Sequence, residues 1–203
     1  MTRVRCDISM SLDGFIAGPN DVPGNGLGDG GERLHEWIVG TESWRERHNL
    51  PGGETSRDGE ILEEAFNNVG AVVVGRRMFD NAEEWGDNPP FHMPVFVVTH
   101  RVREPLNKEG GTTFTFVEGV ESALEQAKVA AGGKDVSVGG GANVIQQLVR
   151  AGLVDELQIH VVPVLLGEGR RLFEDMGPEQ IELQPMRVIE SPAVTHLKFG
   201  FKR

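Results

Sequence analysis

The chain has 203 residues, room for one compact domain or two small ones, and 38% of them are hydrophobic, which is material for a real core. A net charge of −11 argues against a nucleic-acid binder, whose footprint would be basic, and 6% aromatic residues with no Tyr offer no base-stacking platform. Cys6 is the one cysteine, which excludes an intramolecular disulfide and a thiolate-rich metal site and points to a reducing, cytoplasmic setting.

The first residues, Met1-Thr2-Arg3-Val4-Arg5, lead straight into a strand-like run without the apolar core of a signal peptide, and no apolar run reaches membrane-spanning length. A soluble protein with no membrane partner is expected. β-Branched and alternating runs predict strands at about 3–10, 71–74, 94–98, 113–117, 135–138, 155–162, 181–190 and 193–201. Helical spacing predicts helices at about 58–68, 76–82, 120–131 and 142–151, with a further pattern across 32–47. The middle of the chain alternates strand and helix, which favours a mostly parallel sheet covered on both faces. The last two strands meet at Ser191-Pro192-Ala193, a turn too short for a crossover, so the sheet should be mixed and end in an antiparallel hairpin.

Four junctions along this pattern carry candidate chemistry. At Ser9-Met10-Ser11-Leu12-Asp13-Gly14-Phe15-Ile16-Ala17-Gly18 the first strand runs into an Asp-Gly turn, followed by a loop (17–31) with six glycines and two prolines. A loop of that make-up either folds over a bound reactant or is a surface excursion. The stretch 49–57 reads as a plain connection. At Val74-Gly75-Arg76-Arg77 a helix opens on two arginines, an unfavourable place for cations unless an anion lies between them. At Val98-Thr99-His100-Arg101 another apolar strand ends in a hydroxyl, an imidazole and a guanidinium. At Val138-Gly139-Gly140-Gly141-Ala142-Asn143 a strand stops at three glycines and a helix starts at once, with no side chain to cap its first amides, an arrangement that suits a phosphate. Ligands of open α/β sheets bind beyond the carboxyl ends of the strands, so these tips together describe a crevice for an extended phosphorylated ligand.

His160 lies within the apolar strand Leu157-Gln158-Ile159-His160-Val161-Val162, where a lone histidine is more often a satisfied core residue than a catalyst; Pro163 should end that strand. No G-x-S-x-G elbow, Walker A loop or H-E-x-x-H appears, the glycine triplet is not a G-x-G-x-x-G, and the histidines lack metal-ligand spacing.

Taken in order and spacing, these motifs, with Pro163-Val164-Leu165-Leu166-Gly167-Glu168-Gly169-Arg170-Arg171-Leu172-Phe173, resemble the dihydrofolate reductase-like family. Within it, the chain is most similar to the reductase domain of the riboflavin-biosynthesis bifunctional deaminase-reductase. The resemblance implies a single domain over 1–203, three α/β/α layers around a mixed sheet of about eight strands, and a homodimer. It implies NADPH as cofactor, with Gly75, Arg76 and Arg77 on phosphates and Thr99, His100 and Arg101 at the adenosine 2′-phosphate. Gly139, Gly140 and Gly141 would carry the pyrophosphate, flanked by Val138, Ala142 and Asn143, with a cis peptide at Gly139-Gly140. Ile16 and Ala17 would lie beside the nicotinamide, and Ser9, at the end of the first strand, would also contact the cofactor.

Asp13, His160 and one of Glu36 or Glu42 would border the substrate as orienting groups or proton donors, and Arg170 or Arg171 would meet a phosphorylated substrate. Met78 and Val144 depart from the Thr and the aromatic residue usual in dihydrofolate reductases, and the zinc-binding deaminase partner cannot be built with one cysteine. The expected activity is hydride transfer from NADPH to a small heterocyclic or ribosylamino-pyrimidine substrate, of the 5-amino-6-(5-phosphoribosylamino)uracil reductase type. Two rivals stay open. Dihydrofolate reductase proper predicts methotrexate binding and a carboxylate facing the pteridine, whereas a non-catalytic NADPH-binding module predicts no accessible cavity beside the nicotinamide.

Overall fold

Valine-rich runs that can be buried on both sides alternate with amphipathic helices, and in the computed structural model, which describes residues 2–202, they stack as sheet and cover. The strands are β1 (Val4–Ser11), β2 (Phe15–Ala17), β3 (Val69–Gly75), β4 (Pro94–Val98), β5 (Leu106–Asn107), β6 (Thr113–Val117), β7 (Asp135–Gly140), β8 (Glu156–Val162), β9 (Arg170–Arg171), β10 (Leu183–Glu190) and β11 (Thr195–Phe201). The helices are α1 (Glu36–Val39), α2 (Glu42–Arg47), α3 (Arg57–Asn67), α4 (Arg76–Asn81), α5 (Val120–Ala130) and α6 (Ala142–Arg150). Nine strands form one mixed sheet in the order β10-β11-β8-β1-β7-β3-β4-β6-β5, and β2 pairs with β9 in a separate ribbon. The six strands from β8 to β6 in that order are parallel, while β11 and β10 continue the sheet antiparallel as the expected closing hairpin.

Side-chain alternation in β3 shows why the run is apolar throughout. Ala71 and Val73 face α5 and α6, packing with Leu124, Ile145 and Leu148, whereas Val72 and Val74 face α4, packing with Phe79. Phe79 meets Phe114 and Phe116 edge-on at 5.0 and 5.2 Å, a favoured aromatic geometry that anchors α4 to β6. A third cluster, Leu34, Trp37, Val162 and Val194, seats α1 on β8 and the final hairpin.

Three features differ from the sequence expectation. The ninth strand, β5, has two residues, too few to show a period. The 32–47 pattern is split into a 3₁₀ turn (Gly31–Leu34), α1 and α2, because Gly40 interrupts it and Thr41 starts a new helix by accepting the Trp44 amide at 3.3 Å. The cis peptide lies at Gly140-Gly141, one residue beyond the expected bond, and the β7–β3 register skips Gly139 just before it.

Candidate active site

Because β7, β3 and β4 are adjacent and parallel, their carboxyl ends open on the same margin of the sheet. Each is followed by one of the junctions singled out in the sequence, and the three tips border one cavity of about 630 Å³. Gly139, Gly140, Gly141, Ala142 and Asn143 line it from the β7 tip, Gly75, Arg76 and Arg77 from the β3 tip, and Thr99, His100 and Arg101 from the β4 tip; Ile16 and Ala17 line it from β2. Ser9 and Val138 do not. The Ser9 hydroxyl accepts the Trp37 indole N–H at 3.1 Å, and Val138 is wholly buried in the core.

At the β7 tip, Gly140 has φ +122°, a backbone region that only glycine adopts at ease, and a Cβ there would lie 3.3 Å from the Met78 sulfur. Helix α6 begins on Gly141 with no side-chain cap, so the amides of Ala142 and Asn143 are free to face a ligand. Their helix is fixed from behind by Ile145 and Leu148, both fully buried.

The two arginines are not bare. Arg76 Nε donates to Asp80 at 2.7 Å, and Arg77 donates to the carbonyl and carboxylate of Asp21 at 3.0 and 2.8 Å. Cations at the helix start are thus offset by carboxylates, and they do not by themselves demand an anion. Each guanidinium keeps further N–H groups for a ligand. Arg170 reaches the same Asp21 carboxylate at 3.1 and 3.2 Å and lines the cavity, whereas Arg171 is turned over the Phe15 ring at 4.4 Å. At the β4 tip, Thr99 Oγ1 accepts the Arg101 amide at 3.0 Å, and the His100 side chain is 95% exposed.

The glycine-rich loop is built, not loose. Gly18 and Leu27 close it by a 2.8 Å backbone bond, and Asn20 and Asn25 donate to Asp29 at 2.7 and 2.8 Å. Gly28 has φ +69°, and any side chain there would strike the Gly18 carbonyl. Asp21, Gly26 and Leu27 of this loop form a wall of the cavity.

The four expected catalytic groups lie off the cavity. Asp13 accepts from the Ser11 hydroxyl at 2.6 Å and from the amides of Leu166 and Gly167 at 3.1 and 2.7 Å, so it pins the segment after Pro163. Those bonds, the Ser11 hydroxyl foremost, hold its carboxyl below the usual range. Glu36 pairs with Arg33 at the surface, and Glu42 accepts the Thr55 hydroxyl at 2.6 Å. His160 is buried, with Asp7 and His196 occupying both ring nitrogens.

Asp21 and His35 are among the cavity-lining residues that the sequence pattern did not single out. Asp21 gathers Arg77 and Arg170, for which an acid in a loop facing two basic segments was a signal. His35 gave none, being a lone histidine ahead of a four-residue helix. Its Nδ1 is buried without a hydrogen-bond partner, and burial, reinforced by the nearby His160 and only partly opposed by the Gly31 backbone, pushes the imidazole down to about 4. It is therefore neutral at physiological pH. No group of three or more His, Cys, Asp or Glu side chains suited to a metal ion occurs among the described residues, and no helix among them is long and apolar enough to cross a membrane.

The family model of the RibD C-terminal domain matches residues 2–197. The chain belongs to that family. It is 24% identical over 186 residues to YyaP of Bacillus subtilis (strain 168), covering 86% of this chain and 81% of YyaP. Among solved structures, a putative riboflavin biosynthesis protein from Shewanella sp. PV-4 superposes with a TM-score of 0.68 at 22% identity, each chain covered in full. RibD of Acinetobacter baumannii gives 0.62 at 18% identity, with all of this chain spanning 59% of that one. Dihydrofolate reductase from Enterococcus faecalis, solved with NADP(H), gives 0.54 at 16% identity over 99% of this chain and 97% of its own. The fold is dihydrofolate reductase-like.

Proposed function

We propose that this RibD C-terminal domain protein is an NADPH-dependent reductase acting on a small heterocyclic or ribosylamino-pyrimidine substrate. The observation that carries the reading is the convergence of three strand tips, bearing glycines and guanidinium groups, on one cavity in a chain of net charge −11. In an acidic protein, four arginines and a run of uncapped amides around one hollow favour a ligand with several phosphates.

The glycine tip and the amides of Ala142 and Asn143 would hold the pyrophosphate, with Arg76 and Arg77 on neighbouring phosphate oxygens. Buried Thr99, with His100 and Arg101 on the exposed rim, would take the 2′-phosphate and, together with Arg76 and Arg77, favour NADPH over NADH. Bound there, the cofactor supplies the hydride. Ile8, Ile16, Ala17 and Leu27 would give the reacting end an apolar, water-poor wall. His35 would offer a neutral imidazole to a polar group of the substrate, orienting it without carrying charge, and Arg170 would meet an anionic substituent. Glu36 and Glu42 are engaged elsewhere, and of the two carboxylates that line the cavity Asp21 is held by Arg77 and Arg170 while Glu174 is exposed, which favours the pyrimidine type of substrate over dihydrofolate reductase proper, with its carboxylate facing the pteridine.

Titration calorimetry with NADPH and NADP at near-physiological salt tests the cofactor half, and absence of heat for both would end the proposal. Oxidation of NADPH, followed by absorbance, tests the substrate half with 5-amino-6-(5-phosphoribosylamino)uracil against dihydrofolate. Turnover of the former without methotrexate inhibition is expected. Preference for dihydrofolate would replace this reading with its rival.

A further inference from the structure

Away from the cavity, on the sheet face covered by α1 and α3, four ionisable side chains form an unbroken series. Asp7 Oδ1 lies 2.8 Å from His160 Nε2, His160 Nδ1 lies 2.6 Å from His196 Nδ1, and His196 Nε2 lies 2.8 Å from Asp58 Oδ1. The register of the sheet creates this contact, since His160 of β8 and His196 of β11 are direct cross-strand partners. Both imidazoles are 3% exposed, and the Trp37 ring packs on both, with centroids 4.7 and 5.1 Å away.

Counting hydrogens decides what this series is. Three hydrogen bonds need three hydrogens, but two carboxylates and two neutral imidazoles carry only two between them. If both are spent on the carboxylates, the two Nδ1 atoms confront each other as lone pairs. If one imidazole turns its hydrogen to the other, its own carboxylate faces a lone pair instead. Every two-hydrogen arrangement leaves a buried polar contact unmade, at a cost natural proteins avoid.

We propose that Asp7, His160, His196 and Asp58 form a proton-binding site that is filled at neutral pH, with His160 as the imidazolium. In this arrangement His160 donates from Nε2 to Asp7 and from Nδ1 to neutral His196, which donates from Nε2 to Asp58. The surroundings agree. Burial works to raise the Asp7 carboxyl, but the charges of His160 and Arg5 overcome it and hold Asp7 below the ordinary range. His196 is pushed down by its burial and by the charge on His160, against the pull of Asp58, as suits the neutral member of the pair.

The other groups around the series do not supply the missing hydrogen. From β1, Arg5 is paired with Asp135 at 3.1 Å, and the Cys6 thiol is pushed up to about 12 by burial and the Asp7 charge. From β8, Gln158 donates to the second Asp7 oxygen at 3.2 Å. From β10, Arg187 is paired with Glu64 of α3 at 2.7 Å. Ser191, in the hairpin turn, reaches the second Asp58 oxygen at 3.1 Å, and His35, ahead of α1, stays neutral. The filled site ties β1, β8, β11 and α3 together and provides the surface on which Trp37, and with it α1, is seated.

The linkage follows directly. A filled site holds a proton that the unfolded chain gives up at alkaline pH, so the stabilisation it contributes is lost as pH rises and the site empties. Nitrogen-15 spectra of the histidines in the intact wild-type protein at about pH 7.5 should show three imidazole N–H groups in the buried pair, two of them on His160; one hydrogen on each ring would overturn the proposal. His160→Asn gives a second test, since its amide can donate to His196 with no added proton. Between about pH 7 and 9 the folding equilibrium constant of the wild type should fall by up to about tenfold per pH unit relative to that variant in urea titrations. Parallel slopes would overturn the proposal, and should the variant not fold, the wild-type spectrum decides alone.

Discussion

At the strand tips the polar groups are mainly backbone amides and guanidiniums with valences to spare, facing an open cavity. On the face beneath α1 and α3 the polar groups are carboxylates and imidazoles whose every ring nitrogen is used. His160 belongs to the second kind, which is why it makes a poor candidate for catalysis and a good one for holding strands together. A titratable residue in a structured interior points to chemistry only when some of its bonding capacity is left for a ligand. By that measure His35, with an unmatched nitrogen in the cavity wall, is the better candidate.

The sharpest way to break the contrast is His196→Ala. It leaves the His160 and Asp58 contacts unmade in a buried setting and should cost about 3 kcal/mol of unfolding free energy, read by urea denaturation. NADPH affinity of the folded fraction should be unchanged, and a parallel loss of binding would erase the distinction between the two regions. Next comes Gly140→Ala. A side chain at φ +122° against the Met78 sulfur deforms the β7 tip, so NADPH binding by calorimetry should weaken about 100-fold, roughly 2.7 kcal/mol, while the buried imidazole spectrum stays as in the wild type.

A smaller effect is expected from Arg76→Ala with Arg77→Ala, about tenfold on NADPH affinity, because neither guanidinium is fully committed to a ligand while Asp80 and Asp21 hold them. The loss should be far greater for NADPH than for NADH. Equal losses would show that these arginines act on the pyrophosphate, or on the loop through Asp21, and not on the 2′-phosphate.

What was legible in the sequence divides along the same line. β3, β4, β6 and β7 show as short apolar runs bounded by glycine or charge, and the tips that follow them are contiguous in sequence, so both the parallel sheet and its margin could be read directly. Asp21 and His35 are brought to the cavity only by the path of the 18–34 segment, and no local periodicity records that path. The two-residue strands β5 and β9 are likewise set by neighbours and not by pattern. His160 could be read as a buried histidine, but its partners come from three other elements and follow from the β8–β11 register, which a sequence scan does not fix.

The smallest predicted effect concerns Asp13, which belongs to neither region yet fastens the segment carrying Arg170 to the first strand. Its carboxyl is held below the ordinary range by the Ser11 hydroxyl and the Leu166 and Gly167 amides. A depressed carboxyl contributes stability that is present above its unfolded value of about 3.9 and lost as pH falls through its folded value. Acidification from about pH 7 to 5 should therefore leave the exchange protection of the Leu166 and Gly167 amides intact once the intrinsic rate is corrected for, and protection should fall only below about pH 4. Asp13→Ala should expose both amides at every pH with little change in global unfolding, since the bonds are local and near the surface. If the variant instead unfolded the β8–β11 pairing, Asp13 would be part of the main frame, and the attachment of Arg170 would rest on Asp21 alone.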